Sequence, residues 1–168
     1  VVVSGVKVKW RRVLIFIFIL KIQSMIKKLL LVEDDPITQM LERIILSNAG
    51  FCSETVSLDN GLVAIDWLEK SILQEKQQID LPELIFLDLN MPLMDGWGFL
   101  KLFKEKYLQY FPLIKVIILS STVNPLDWEK SKEHEVVIGF EKKPLSVEAL
   151  ERLKQTEKLK HFFVESYK

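Results

Sequence analysis

Four apolar runs in this chain each end at polar residues that carry reactive groups. Leu29-Leu30-Leu31-Val32 leads into Glu33-Asp34, Leu84-Ile85-Phe86-Leu87 into Asp88, and Val116-Ile117-Ile118-Leu119 into Ser120. Val136-Val137-Ile138-Gly139-Phe140 is followed shortly by Lys143. A short unbroken apolar run is the pattern of a strand covered on both faces, as in a parallel sheet flanked by helices. In such a sheet, ligands bind beyond the carboxyl ends of the strands. Three carboxylates, a hydroxyl and an ammonium would then converge on one crevice, which is the chemistry of metal-assisted phosphoryl transfer.

Between these runs lie helical patterns. Ile37, Met40, Leu41, Ile44 and Ile45 recur at helical spacing and predict one apolar face. Asp35 suits the N-cap, Pro36 the first helical position and Gly50 the stop. Residues 51–56 alternate apolar and polar, which predicts a half-buried edge strand. Leu62, Ile65, Leu68 and Ile72 mark a second helix, capped by Asp59. A third begins near Asp95-Gly96 and runs toward Tyr107, and a short fourth follows Asn124-Pro125. A fifth starts at Ser146 with Val147, Leu150 and Leu153 inward. Five strand–helix pairs predict an α/β fold, a doubly wound five-stranded parallel sheet with helices on both faces. With the alternating strand at the edge, the strand order is 2-1-3-4-5, as in flavodoxin-like folds.

The chain has 168 residues, enough for one domain with a substantial core. Its 23 basic residues balance 23 acidic ones, so no global charge favours nucleic acid or an acidic membrane. Cys52 is the only cysteine, which excludes an internal disulfide, fits a reducing compartment, and reads as a packing residue. Residues 1–24 do not match the rest. Residues 13–20 are an apolar octet flanked by Arg11, Arg12 and Lys21, shorter than the about 20 residues of a membrane span. The favoured reading is a non-native or mis-assigned extension before Met25; a targeting or anchoring segment and an added edge strand or helix are the alternatives. Residues 25–157 form the main domain. Residues 158–168 extend the last helix or pack beside it.

The site residues carry specific expectations. Clustered carboxylates need a cation, and an oxygen-only ligand set suits Mg²⁺. Asp34 is expected to ligate because Asp88 lies beside it when the first and third strands are neighbours. Asp35 is left as the helix cap. Asp88 can act as a nucleophile that holds a phosphoryl group as an acyl phosphate. The loop of Asn90-Met91-Pro92 and Asp95-Gly96 can present the Asn90 carbonyl to the metal. Ser120, with Ser121 as a rival, can donate to a phosphoryl oxygen, and Lys143 can place a point charge on it. Lys142 faces the other way on an extended segment. His134 and His161 are expected to be exposed and outside the mechanism.

The set Val32-Glu33-Asp34-Asp35-Pro36, Leu87-Asp88-Leu89-Asn90-Met91-Pro92-Leu93-Met94-Asp95-Gly96, Leu119-Ser120-Ser121 and Lys143-Pro144-Leu145 resembles the receiver domain of two-component response regulators. The resemblance covers residues 26–157 and is similar to stand-alone, chemotaxis-type regulators. It implies that Asp88 accepts a phosphoryl group from a histidine kinase or a histidine phosphotransfer protein. It also implies that Asp34, Asp88 and the Asn90 carbonyl bind Mg²⁺, with Glu33 acting through water. Ser120 and Lys143 match the family's hydroxyl and lysine positions. Phe140 matches the aromatic switch that turns inward on phosphorylation, and Trp128 falls near the same surface. A cytoplasmic phosphorelay protein with a downstream protein target follows, which is not an enzyme beyond its own phosphotransfer and dephosphorylation. Two other classes compete. A Mg²⁺-dependent aspartyl phosphatase would want an acid where Asn90 stands, and its nucleophile on the first strand. A receiver-shaped scaffold would need none of these polar residues.

Overall fold

A computed structural model describes residues 25–73, 81–122 and 124–163. The expectation for residues 1–24 lies outside the described residues, as does the last part of the C-terminal stretch. Five parallel strands, β1 (Ile26–Val32), β2 (Cys52–Leu58), β3 (Leu84–Asp88), β4 (Lys115–Ser120) and β5 (Val137–Lys142), line up in the order β2-β1-β3-β4-β5. The helices are α1 (Pro36–Asn48), α2 (Gly61–Leu73), α3 (Gly96–Leu102), α4 (Pro125–Ser131) and α5 (Val147–Lys154). A π-helical turn, Phe103–Tyr107, continues α3, and a short 3₁₀ turn, Lys160–Phe162, follows α5.

Alternation along the central strands divides two cores. Leu30, Val32, Ile85, Leu87, Val116 and Ile118 face α2, α3 and the π-helical turn, where Leu68, Phe99 and Phe103 pack. Leu29, Leu31, Leu84, Phe86, Ile117 and Leu119 face α1 and α5, where Leu46, Leu150 and Leu153 pack. The register sets Val32 beside Leu87 and Asp88 beside Leu119. The carboxyl ends of β1, β3 and β4 therefore finish level, and the residues after them share one edge.

Several local expectations need correction. In α1 the buried positions are Glu42 and Leu46, with Ile45 and Ala49 packed against the same core, whereas Ile37, Met40, Leu41 and Ile44 are exposed. Two stripes satisfy the helical period here, and the sheet takes the one holding an acid. Asn60, not Asp59, caps α2: its Oδ1 accepts from the N–H groups of Leu62 and Val63, each at 3.0 Å. Asp59 instead accepts from Gln39, and Leu62 is exposed. Val147 is also exposed, because Ala149 takes the inward place. β5 is an edge strand and only partly covered, so its apolar run overstates its burial. His134 is half-buried and packs against Trp97, rather than standing in solvent.

The caps of the other helices follow the sequence. Asp35, Asp95, Asn124 and Ser146 each accept a backbone N–H of the first turn of α1, α3, α4 and α5. Gly50, at φ 53°, ends α1 with the left-handed residue that a chain reversal demands. The C-terminal carbonyl of α1 finds a long-range partner, since the buried Lys154 ammonium donates to the Ala49 carbonyl at 2.7 Å. Lys154→Met should remove this charge-assisted bond and lower stability by about 1–2 kcal/mol. Urea unfolding followed by circular dichroism measures that loss, and an unchanged midpoint would show the contact to be idle.

Candidate functional site

The site begins where β1 stops. After Val32 the chain turns outward through Glu33, Asp34 and Asp35, and the three acids take separate environments. Glu33 is buried, Asp34 is exposed, and Asp35 is committed to the N-cap, accepting from the Thr38 N–H at 2.6 Å. Asp88 closes β3 and is buried. One carboxylate oxygen from each of Glu33, Asp34 and Asp88 lies within 4.8 Å of the others. Asp88 also accepts from the Asn90 N–H at 3.2 Å, which turns the following loop back over the strand end.

That loop is tightly held. The Leu89 carbonyl accepts from the Gly96 N–H at 3.1 Å, and the Met94 carbonyl from the Gly61 N–H at 3.1 Å. A Cβ at Gly96 would stand 2.4 Å from the Asp88 carbonyl, so only glycine lets α3 begin this close to the strand end. Leu93 sits at φ 67°, a left-handed conformation that costs a branched side chain free energy.

Lys143 comes from the loop after β5, anchored by its own N–H donating to the Ser120 carbonyl at 2.8 Å. Its ammonium lies 2.8 Å from Asp88 Oδ2 and also donates to Glu33 Oε2. All three groups are at least largely shielded from solvent. Burial pushes the Glu33 carboxyl above its ordinary value, against the opposing pull of Lys143. Burial would lower the Lys143 ammonium, but its hydrogen bonds to Asp88 and Glu33 outweigh this and raise it. The ammonium thus already serves as counter-ion to two of the three acids. The carboxylate oxygens form a hard, oxygen-only donor set, with Asp34 facing solvent, and that set fits a divalent cation of the Mg²⁺ type.

Ser120 is placed at the end of β4, buried, but its hydroxyl is engaged in its own turn. It donates to the Thr122 carbonyl at 2.8 Å and accepts the Thr122 N–H at 3.3 Å. Asn90 lies at the loop start with its side chain in solvent. Phe140 lies one strand over, half-buried, with its ring edge-on to Trp128 at 6.3 Å between centroids. Lys142 is exposed, as the alternation predicts. Cys52 is partly covered and far along the other edge strand, with burial raising its thiol. The structure therefore brings Glu33, Asp34, Asp88 and Lys143 into one cluster, with Asn90 and Ser120 on its rim and Phe140 outside it.

One group escaped the sequence. Glu42 on α1 is 1% exposed, and neither carboxylate oxygen has a hydrogen-bond partner. Burial, with Glu33 and Asp88 adding to it and Lys143 opposing, pushes its carboxyl up to about 7. Its only signal was an acid in the stripe shared with Ile45, Leu46 and Ala49, and the rival stripe hid it.

An order 2-1-3-4-5 sheet with helices on both faces is the flavodoxin-like α/β class, and here it carries an acidic cluster and a lysine at its carboxyl edge. Residues 29–155 match the response regulator receiver domain, and the chain belongs to that family. It is similar to a two component response regulator from Cytophaga hutchinsonii, with 30% identity, a TM-score of 0.69, and coverage of 77% of this chain and 94% of that one. A phosphorylated cyanobacterial phytochrome response regulator, RcpA, superposes with a TM-score of 0.62 at 28% identity, covering 82% of this chain and 93% of that one. In sequence, the probable methanogenesis regulatory protein FilR2 of Methanothrix harundinacea is 29% identical over 81% of this chain and 83% of its own length. The chain is thus a receiver domain of two-component signalling, a family that binds Mg²⁺ and works with histidine kinases and phosphotransfer proteins. Among the described residues, no helix is long and apolar enough to cross a membrane.

Proposed function

We propose that Asp88 is the phosphoacceptor of a phosphorelay, taking its phosphoryl group from a histidine kinase or a histidine phosphotransfer protein. The observation that carries this is the Lys143 ammonium 2.8 Å from Asp88 Oδ2, at the same strand edge as Glu33 and Asp34. Attack of a carboxylate on a phosphoryl group is favoured when positive charge neutralises the oxygens around phosphorus. Asp34, Asp88 and the Asn90 carbonyl would hold Mg²⁺, with Glu33 acting through water, and the ion would supply that neutralisation. Lys143 supplies the second positive charge. The phosphoryl phosphorus bonds to one Asp88 oxygen as its bond to the donor imidazole nitrogen breaks.

Switching follows from Ser120. Once a phosphoryl oxygen stands above Asp88, it offers a charged acceptor stronger than the Thr122 carbonyl. The hydroxyl leaves its turn, the loop after β4 shifts, and Phe140 turns inward from Trp128. Two pre-existing arrangements change weight, and the downstream protein target reads the new surface.

The exposed apolar stripe of α1 offers a surface on which a protein donor would dock. Ile37, Met40, Leu41 and Ile44 stand in solvent, and Leu41 lines an open pocket of about 440 Å³ together with Lys143 and Pro144. An apolar patch that reaches, through Leu41, the pocket lined by the Asp88 partner Lys143 fits a protein donor that must bring its phosphohistidine to Asp88. Met40→Asp with Ile44→Asp should slow transfer from the protein donor at least about 10-fold, and slow transfer from acetyl phosphate much less. Equal losses with both donors would remove the docking role.

The whole reading is tested with Mg²⁺ and acetyl phosphate, followed by intact mass. One phosphoryl adduct is expected, absent when EDTA is present. Turnover of phosphomonoesters would point to a phosphatase instead. No adduct from acetyl phosphate or a kinase would leave only a scaffold.

A further inference from the structure

Beside the acidic cluster, α1 and the segments after β4 and β5 line an open pocket of about 440 Å³. Leu41, Ile45, Pro144 and Leu145 make its walls mainly apolar. Two of its lining residues carry charge, Glu42 on α1 and Lys143 after β5. Their situations differ. The Lys143 ammonium is committed to Glu33 and Asp88. Glu42 is 1% exposed, and among the described residues neither of its carboxylate oxygens has a hydrogen-bond partner. An interior carboxyl without partners costs folding free energy that an apolar side chain in the same stripe of α1 would not. Such a group calls for a use outside the fold.

The chemistry of the pocket names its guest. Glu33 and Asp88 act on Glu42 with the same sign, and only Lys143 opposes them, so the local field favours a cation. Two free oxygens on one carboxyl match the two parallel N–H groups of a guanidinium. The apolar walls match the methylene stem that carries that head in arginine. A guanidinium is also more weakly hydrated than an ammonium and gives up less on leaving water. Glu42 has three rotatable bonds, so its head can turn toward a guest entering the space that the side chain already lines. The surroundings name the carrier. Leu41 is both a wall of the pocket and a member of the exposed stripe with Ile37, Met40 and Ile44, so a protein seated on that stripe brings its own side chains to the pocket.

We propose that Glu42 and this pocket receive an arginine side chain of the protein phosphodonor, a recognition contact that takes no part in the phosphoryl chemistry. The choice of the donor as carrier rests on the phosphoacceptor role of Asp88. The affinity of the pocket for a guanidinium does not.

The pocket is tested on the full chain without Mg²⁺ or phosphodonor, with n-butylguanidinium as the probe and methyl NMR as the readout. Saturable shifts at Leu41, Ile45 and Leu145 are expected, with an affinity at least about 10-fold above that of n-butylurea, a neutral molecule of nearly the same shape. Glu42→Gln should weaken the guanidinium at least about 10-fold and leave n-butylurea unchanged. Equal affinities for the two probes, or an undiminished affinity in the Gln variant, would overturn the site. Binding of n-butylammonium as tight as that of the guanidinium would overturn the assignment to arginine. The carrier is tested with a histidine kinase or phosphotransfer protein that phosphorylates the parent chain. Glu42→Gln should slow transfer from that protein at least about 10-fold more than transfer from acetyl phosphate. Equal slowing would overturn the donor as carrier even where the probe binds. Absence of any phosphoryl transfer to the parent chain would remove the phosphoacceptor reading and the donor with it, while the probe result would stand on its own.

Discussion

Asp88→Asn should abolish the acetyl phosphate adduct and transfer from a histidine phosphodonor, while the fold persists. The amide nearly matches the carboxylate in shape and is a poor nucleophile, so no acyl phosphate forms. The substitution also takes one negative charge away from a cluster where Lys143 lies 2.8 Å from Asp88 and bonds to Glu33. The ammonium keeps its Glu33 partner, so stability should not collapse. Intact mass after incubation with Mg²⁺ reads the adduct, and thermal unfolding reads the fold. An adduct of undiminished yield in the Asn variant would move the acceptor to another residue and end the proposed role of Asp88.

The second large effect belongs to Glu42. In the folded protein its carboxyl rests at about 7 against an ordinary value of 4.5, with burial as the first cause. The folded state therefore binds more protons than the unfolded chain between those values. Stability falls as pH rises through that window, and the full cost is present above it. The size is about 3 kcal/mol, from roughly 1.4 kcal/mol for each tenfold change in proton affinity. Glu42→Gln keeps the shape and cannot ionise. Relative to the parent, the variant should gain about 2.5 kcal/mol on going from pH 5 to pH 8, since part of the change has already occurred by pH 5. The reading is the difference between two proteins at each pH, because the raised Glu33 acts in the same direction and the lowered His134 titrates too. Urea unfolding at the two pH values measures it. A parallel pH response in both proteins would show that Glu42 is not buried as a lone acid.

Much of this architecture is written in local pattern. The strand order followed from one alternating segment among continuous apolar ones, and β2 is indeed at the edge. Level strand ends then put Glu33, Asp34, Asp88 and Lys143 together without further information. Sequence failed where two patterns compete. In α1, apolar residues occupy two stripes of equal period, and only the tertiary fold decides that Leu46 goes in and Met40 stays out. Asp59 and Asn60 are both good caps, and the difference lies in which backbone N–H groups come within reach. The hydroxyl of Ser120 could be placed at the site by its position after β4. Its engagement with Thr122 is a matter of turn geometry that no spacing records.

The bridge made by Lys143 has one more consequence. Two inward acids already share a tethered cation, so the domain should keep its shape when dissolved magnesium is removed. Scarcity of the ion should then silence the relay while leaving an intact protein, ready to answer as soon as supply returns.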